Sequence, residues 1–195
     1  MLNPAASRAY VDESFREHLT DGIYVLAAAV YEPSVESDVR QLMLRLRGRR
    51  KASKLHWSEM DRIQHKLAVE ELPSANGFCL VAVGAPVPRR RQERARAACL
   101  AALVLELHDV GVEQVFIEAR APELNRRDVI TATSARFGLP KGAKLRVYHV
   151  PGSVDPLLWS ADIVAGAVRA HYDGDPTFVD ILSDQIYEVR VSTGC

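Results

Sequence analysis

The chain has 195 residues, 48% of them hydrophobic and 26% charged, with 25 Lys+Arg balanced by 25 Asp+Glu. A chain of this length folds most simply as one domain, residues 1–195, and buries roughly 70% of its unfolded surface without staples. Zero net charge excludes a strongly basic nucleic-acid coat, and the scattered Cys79, Cys99 and Cys195 exclude a disulfide framework or zinc ribbon.

Residues 8–13 read as a first strand, followed by a loop with turn chemistry at Thr20-Asp21-Gly22. Residues 23–31 (IYVLAAAVY) are apolar on both faces, as in a strand buried mid-sheet. Their connection is too short for a crossover helix, so the two strands are expected to be antiparallel. Pro33-Ser34 opens a helix over roughly 36–50, with Ser34 or Ser37 as cap and a basic far end: Arg45, Arg47, Arg49, Arg50, Lys51 and Lys54. Residues 55–59 read as a short strand or extended segment, and 61–72 as an amphipathic helix stopped by Pro73.

Residues 78–83 form a buried strand, and 89–110 a long segment whose middle, 95–105, is apolar nearly all round. That pattern predicts a central helix covered on most sides. A strand at 115–118, a helix at 122–137 and a strand at 145–150 follow. A helix at 156–172, with Asp155 available as its cap, precedes an edge strand at 186–191. Strands alternating with helices after an initial hairpin indicate an α/β layered domain.

Three acids sit in apolar settings where an unpaired carboxylate is costly: Asp12 in YVDES, Glu118 in VFIEAR and Asp162 in LLWSADIVAGAV. Phosphodiester cleavage with two Mg²⁺ or Mn²⁺ ions, about 3.5–4 Å apart, needs several carboxylates on rigid elements. Asp12, Glu118 and Asp162 are the expected metal ligands and catalytic acids, with Glu59 as a possible fourth member. Strand side chains alternate faces, so Asp12 is chosen over its neighbour Glu13, which is the lesser metal candidate. Ala165 and Gly166 share the helical face of Asp162, small enough to let that helix approach the sheet. Arg169, two turns beyond Asp162, is a candidate phosphate contact.

Each acid alone also has a structural reading. The Asp12-Glu13 pair reads as a solvated turn or cap, Glu118 as an ion-pair partner of Arg120 or Arg146, and Asp162 as a polar residue near a helix start. His56 reads as a general base or phosphate contact, or as an ordinary partly buried histidine. The runs 45–54 and 89–96 are candidates for tracking a nucleic-acid backbone, with Arg47, Arg49, Arg50, Lys51 and Lys54 foremost, or else solvated helix ends.

The ordered set YVDES, LHWSEM and LLWSADIVAGAV resembles the domain of unknown function 3800 family, over roughly residues 8–172. The resemblance implies a ribonuclease H-like fold: a mixed five-stranded central sheet with antiparallel first strands, flanked by helices. It also implies Asp12, Glu118 and Asp162 as metal ligands, with Glu13 and Glu59 as accompanying acids. Two positions depart from the family pattern: Phe15 stands where Gly often follows the DES triplet, and Glu118 where the acid is often Asp.

The expected function is a divalent-metal-dependent nuclease acting on RNA or DNA. The alternative is a catalytically inactive binding or assembly module on the same fold. A phosphoryl-transfer domain with Asp12 as nucleophile ranks last, because such sites usually carry a second acid two residues on and position 14 is Ser. No apolar run is long enough to span a membrane, and the N-terminal MLNPAASRAYVDES has no signal-peptide core, so the expected location is cytoplasmic. A homodimer is compatible with the sequence, although no exposed heptad or apolar stripe argues for one.

Overall fold

The structure, a computed structural model, describes residues 6–49 and 53–195. Its sheet is organised around β2 (Gly22–Tyr31), every residue of which is buried. β1 (Arg8–Arg16) and β3 (Phe78–Val87) flank β2, both antiparallel to it. β4 (Gln114–Glu118) runs parallel to β1, and β5 (Arg146–Val150) parallel to β4. β6 (Ile186–Val191) runs parallel to β3, giving the order β5-β4-β1-β2-β3-β6.

The sheet thus has six strands where the family resemblance implies five. The sixth covers the edge of β3, which would otherwise present unpaired backbone groups.

One face of the sheet carries α1 (Glu36–Arg47), α2 (Arg62–Glu71), α5 (Leu157–Tyr172) and α6 (Thr177–Leu182). The other carries α3 (Gln92–Asp109) and α4 (Pro122–Ala135). Helices on both faces explain why β2 is apolar throughout rather than alternating. Among the described residues, no helix is long and apolar enough to cross a membrane.

The most enclosed helix is α5, not α3. Residues 157–168 are all buried, because α5 lies between the sheet and a second tier made by α1, α2 and α6. On α3, one side is packed on the sheet, while Leu105 remains 38% exposed.

Local details also moved. β1 continues through the DES triplet to Arg16, because Ser14, Phe15 and Arg16 pair with Val25, Tyr24 and Ile23. Neither Ser34 nor Ser37 caps α1: its cap residue is Val35, and the Ser34 hydroxyl donates to Glu32. α2 does have a capping box, in which Asp61 accepts from the Gln64 N–H and Gln64 accepts from the Asp61 N–H. The 55–59 segment is not a strand but ends in a 3₁₀ turn, Trp57–Glu59.

Candidate carboxylate cleft

The alternation of β1 divides its side chains between two environments. Tyr10 belongs to the core under α5, and Val11 to the core under α3. Asp12 and Ser14 therefore share the α5 face with Tyr10. Phe116, stacked on Tyr10 with ring centroids 5.3 Å apart, marks the same face of β4, so Glu118 two residues on also faces α5. Val11 is the register partner of Ile117, which brings Asp12 beside Glu118 at the next step along the parallel pair.

The helix over that face supplies Asp162, which is 5% exposed. Asp12, Glu118 and Asp162 all line one cleft of about 430 Å³, together with Lys54, His56, Trp57 and Arg169. Burial raises the pKa of Asp12 well above the usual carboxylate range, and the charges of Asp162, Glu13 and Glu118 raise it further. The Asp12 carboxylate accepts from the Glu13 N–H at 2.8 Å.

Asp162 is held on two sides. The Trp57 N–H donates to Oδ2 at 2.5 Å, and His56 Nδ1 lies 3.1 Å from Oδ1. The Asp162 carboxylate beside it raises the His56 pKa, burial opposes it, and the net direction is upward. The Trp57 indole packs against Gly166, one turn along α5, where a Cβ would collide with the ring. Gly166 thus makes room for Trp57 rather than for the sheet. The indole also stacks on His65, at 3.7 Å between centroids, and His65 Nε2 lies 2.8 Å from the Trp57 carbonyl.

Glu118 is positioned from behind. A Cβ on Gly152 would lie 2.5 Å from Glu118 Oε2, so the turn after β5 lies directly against the carboxylate, and a larger residue there would push that side chain aside. Trp159 of α5 fixes that turn by donating Nε1–H to the Gly152 carbonyl at 2.6 Å. Glu118 pairs with neither Arg120 nor Arg146 but with Lys54, whose Nζ is 2.6 Å from Oε1. Lys54 therefore lines the cleft with the three acids.

The two accompanying acids sit differently. Glu13 lines the same cleft but turns to the α3 side of β1, where its Oε2 lies 2.7 Å from Arg96. Glu59 is exposed and does not line the cleft, because the 3₁₀ turn directs Trp57 inward and Glu59 outward.

The basic residues also divide. Arg49 is exposed, Arg47 is partly buried with its guanidinium 5.6 Å over the Trp159 ring, and Arg50 and Lys51 lie outside the described residues. Arg169 lines the cleft, with Nε donating to Ser14 Oγ at 3.0 Å and Nη1 to Asp173 at 2.8 Å.

Sequence reasoning missed the ion network behind Glu13. Arg96, 1% exposed, makes two hydrogen bonds to Asp128 at 2.9 and 2.8 Å and one to Tyr24 at 3.1 Å. Asp128 also receives Arg120 at 3.1 Å and lies 3.2 Å from His149 Nε2. Burial raises the Asp128 pKa, but His149, Arg96 and Arg120 outweigh it and hold the carboxyl well below its usual range. In the sequence Arg96 falls in the basic run 89–96. Its signal in the sequence is a single Arg opening the apolar middle of α3.

The three acids are oxygen donors of the kind Mg²⁺ and Mn²⁺ use, on rigid elements, and their mutual repulsion favours a cation among them. That donor chemistry fits such a metal. Among the described residues, however, no three His, Cys, Asp or Glu are already gathered at metal-holding geometry. Glu118 would have to exchange Lys54 for the ion. No known family model matches the chain, and no curated protein matches it.

Proposed function

We propose that this chain is a divalent-metal-dependent nuclease that hydrolyses RNA or DNA phosphodiesters on a ribonuclease H-like scaffold, as in the family it resembles. The observation that carries the reading is the convergence of Asp12, Glu118 and Asp162, from two neighbouring strands and the covering helix, on one cleft. The strand run β5-β4-β1-β2-β3, with antiparallel first strands, supports the scaffold.

In this reading Asp12, Glu118 and Asp162 hold Mg²⁺ or Mn²⁺, which when bound activates a water and stabilises the departing oxygen. Arg169, held by Ser14 and Asp173, orients a substrate phosphate from the cleft wall. His56, held against Asp162, is placed to carry a proton. The exposed Phe15 ring at the same cleft, stacked on Tyr24, offers a surface for a base.

Incubation with single- and double-stranded RNA and DNA in Mn²⁺ or Mg²⁺ tests the proposal. Cleavage by wild type that is lost in Asp12→Asn and Asp162→Asn supports it, and undiminished cleavage by both variants overturns the site.

The second reading, a non-catalytic binding or assembly module, is favoured by the internal satisfaction of the acids. Glu118 holds Lys54 and Asp162 holds the Trp57 N–H. It predicts binding of nucleic acid or protein that is indifferent to Mg²⁺.

A further inference from the structure

Lys54 differs from the other cations around the cleft. Arg120 is committed to Glu93 and Asp128, and Arg169 to Ser14 and Asp173. The Lys54 side chain is only 29% exposed, and its ammonium is 2.6 Å from Glu118. Burial lowers its pKa, but the hydrogen bond to Glu118 and the charges of Glu118, Asp12 and Asp162 outweigh burial and raise it. Among the described residues, it is the lysine that lines the cleft with all three acids.

We propose that Lys54 is the resident counter-cation of the Asp12–Glu118–Asp162 cluster, and that a divalent ion enters by displacing its ammonium from Glu118. This rests on the metal-dependent reading above. A Glu118 oxygen already holding an ammonium at 2.6 Å offers less to Mg²⁺ or Mn²⁺, so the two cations compete. The displaced ammonium stays on its flexible stem within the cleft, free to meet a substrate phosphate. An anion that engages Lys54 weakens its hold on Glu118, so metal and polyanion each strengthen the other's binding.

The test measures thermal midpoints in chelator and Mn²⁺ affinity by calorimetry, for wild type, Lys54→Met and the double variant Lys54→Met/Glu118→Gln. Lys54→Met is expected to lower the metal-free midpoint and to bind Mn²⁺ about tenfold more tightly or better, since a like charge has left the site. The double variant regains the midpoint because one charge of each sign is gone. A short non-cleavable oligonucleotide is expected to tighten Mn²⁺ binding in wild type but not in Lys54→Met.

An unchanged metal-free midpoint in Lys54→Met overturns the counter-cation role. Mn²⁺ binding by wild type that is not tightened in Lys54→Met overturns displacement and leaves the metal-dependent reading standing. No Mn²⁺ binding by either protein, with or without oligonucleotide, overturns both. Lys54→Gln, which keeps a donor for Glu118 without the charge, carries the same titration if the methionine variant does not fold.

Discussion

The Trp57 N–H donates to Asp162 at 2.5 Å, while the Trp57 ring rests on Gly166 one turn further along the same helix. One face of α5 therefore anchors both the backbone and the side chain of the segment that carries Lys54 and His56. Asp162 has a structural duty beside any duty to a metal.

The two duties separate in the choice of substitution. Asp162→Asn retains an oxygen that accepts from Trp57, so its stability is expected within about 1 kcal/mol of wild type while metal binding is lost. Asp162→Ala leaves the buried Trp57 N–H unpaired and is expected to cost about 1–3 kcal/mol more. Urea denaturation of both variants, beside Mn²⁺ calorimetry, measures the difference.

Gly166→Ala inserts a methyl group where the Trp57 ring lies. Overpacking of this kind costs about 1–3 kcal/mol. The displaced indole is also expected to carry His56 away from Asp162. Chemical denaturation reads the first effect. The His56 pKa, followed by NMR, reads the second as a fall, because its partner Asp162 is what raises it.

Asp12 predicts a gain from losing a charge. Its ionised form is buried beside Asp162, Glu13 and Glu118. In chelator at neutral pH, Asp12→Asn is expected to stabilise the protein by about 0.5–2 kcal/mol, the range of single stabilising replacements. A lower midpoint for Asp12→Asn in chelator would show that the carboxylate is satisfied without a metal.

Behind the cleft, Asp128 predicts an acid limb. Its pKa is depressed in the folded protein, so its contribution is present above the unfolded carboxylate value, about 3.9, and is lost as pH falls through the lower folded value. Asp128→Ala leaves the buried Arg96 charge without its bidentate partner and is expected to cost about 3–5 kcal/mol at neutral pH. Its stability should also fall less steeply than that of wild type in strong acid. Thermal midpoints across the acid range measure both.

Phe15 tests contact with nucleic acid. Stacking on an aromatic side chain is worth about 1–3 kcal/mol per base, so Phe15→Ala is expected to weaken single-stranded oligonucleotide binding by about 5- to 150-fold. Fluorescence anisotropy reads this, and equal affinity in Phe15→Ala would remove the ring from the binding surface.

Much of this protein was written locally. The all-apolar run of β2 requires cover on both faces, and the Tyr10–Asp12–Ser14 alternation already separated Asp12 from Glu13. Period and polarity are properties of neighbours in the chain, so the strands, most helices and the three cleft acids were legible without coordinates. The short helix α6 and the 3₁₀ turn at Trp57 were not, because a few residues carry too little periodicity. Long-range pairing decided the rest. Lys54 and Glu118 are 64 positions apart, Trp57 and Asp162 are 105 apart, and Arg96 and Asp128 meet only where α3 packs on α4. A charge in a basic run looks the same in sequence whether it faces water or a buried carboxylate; only the folded chain selects its partner.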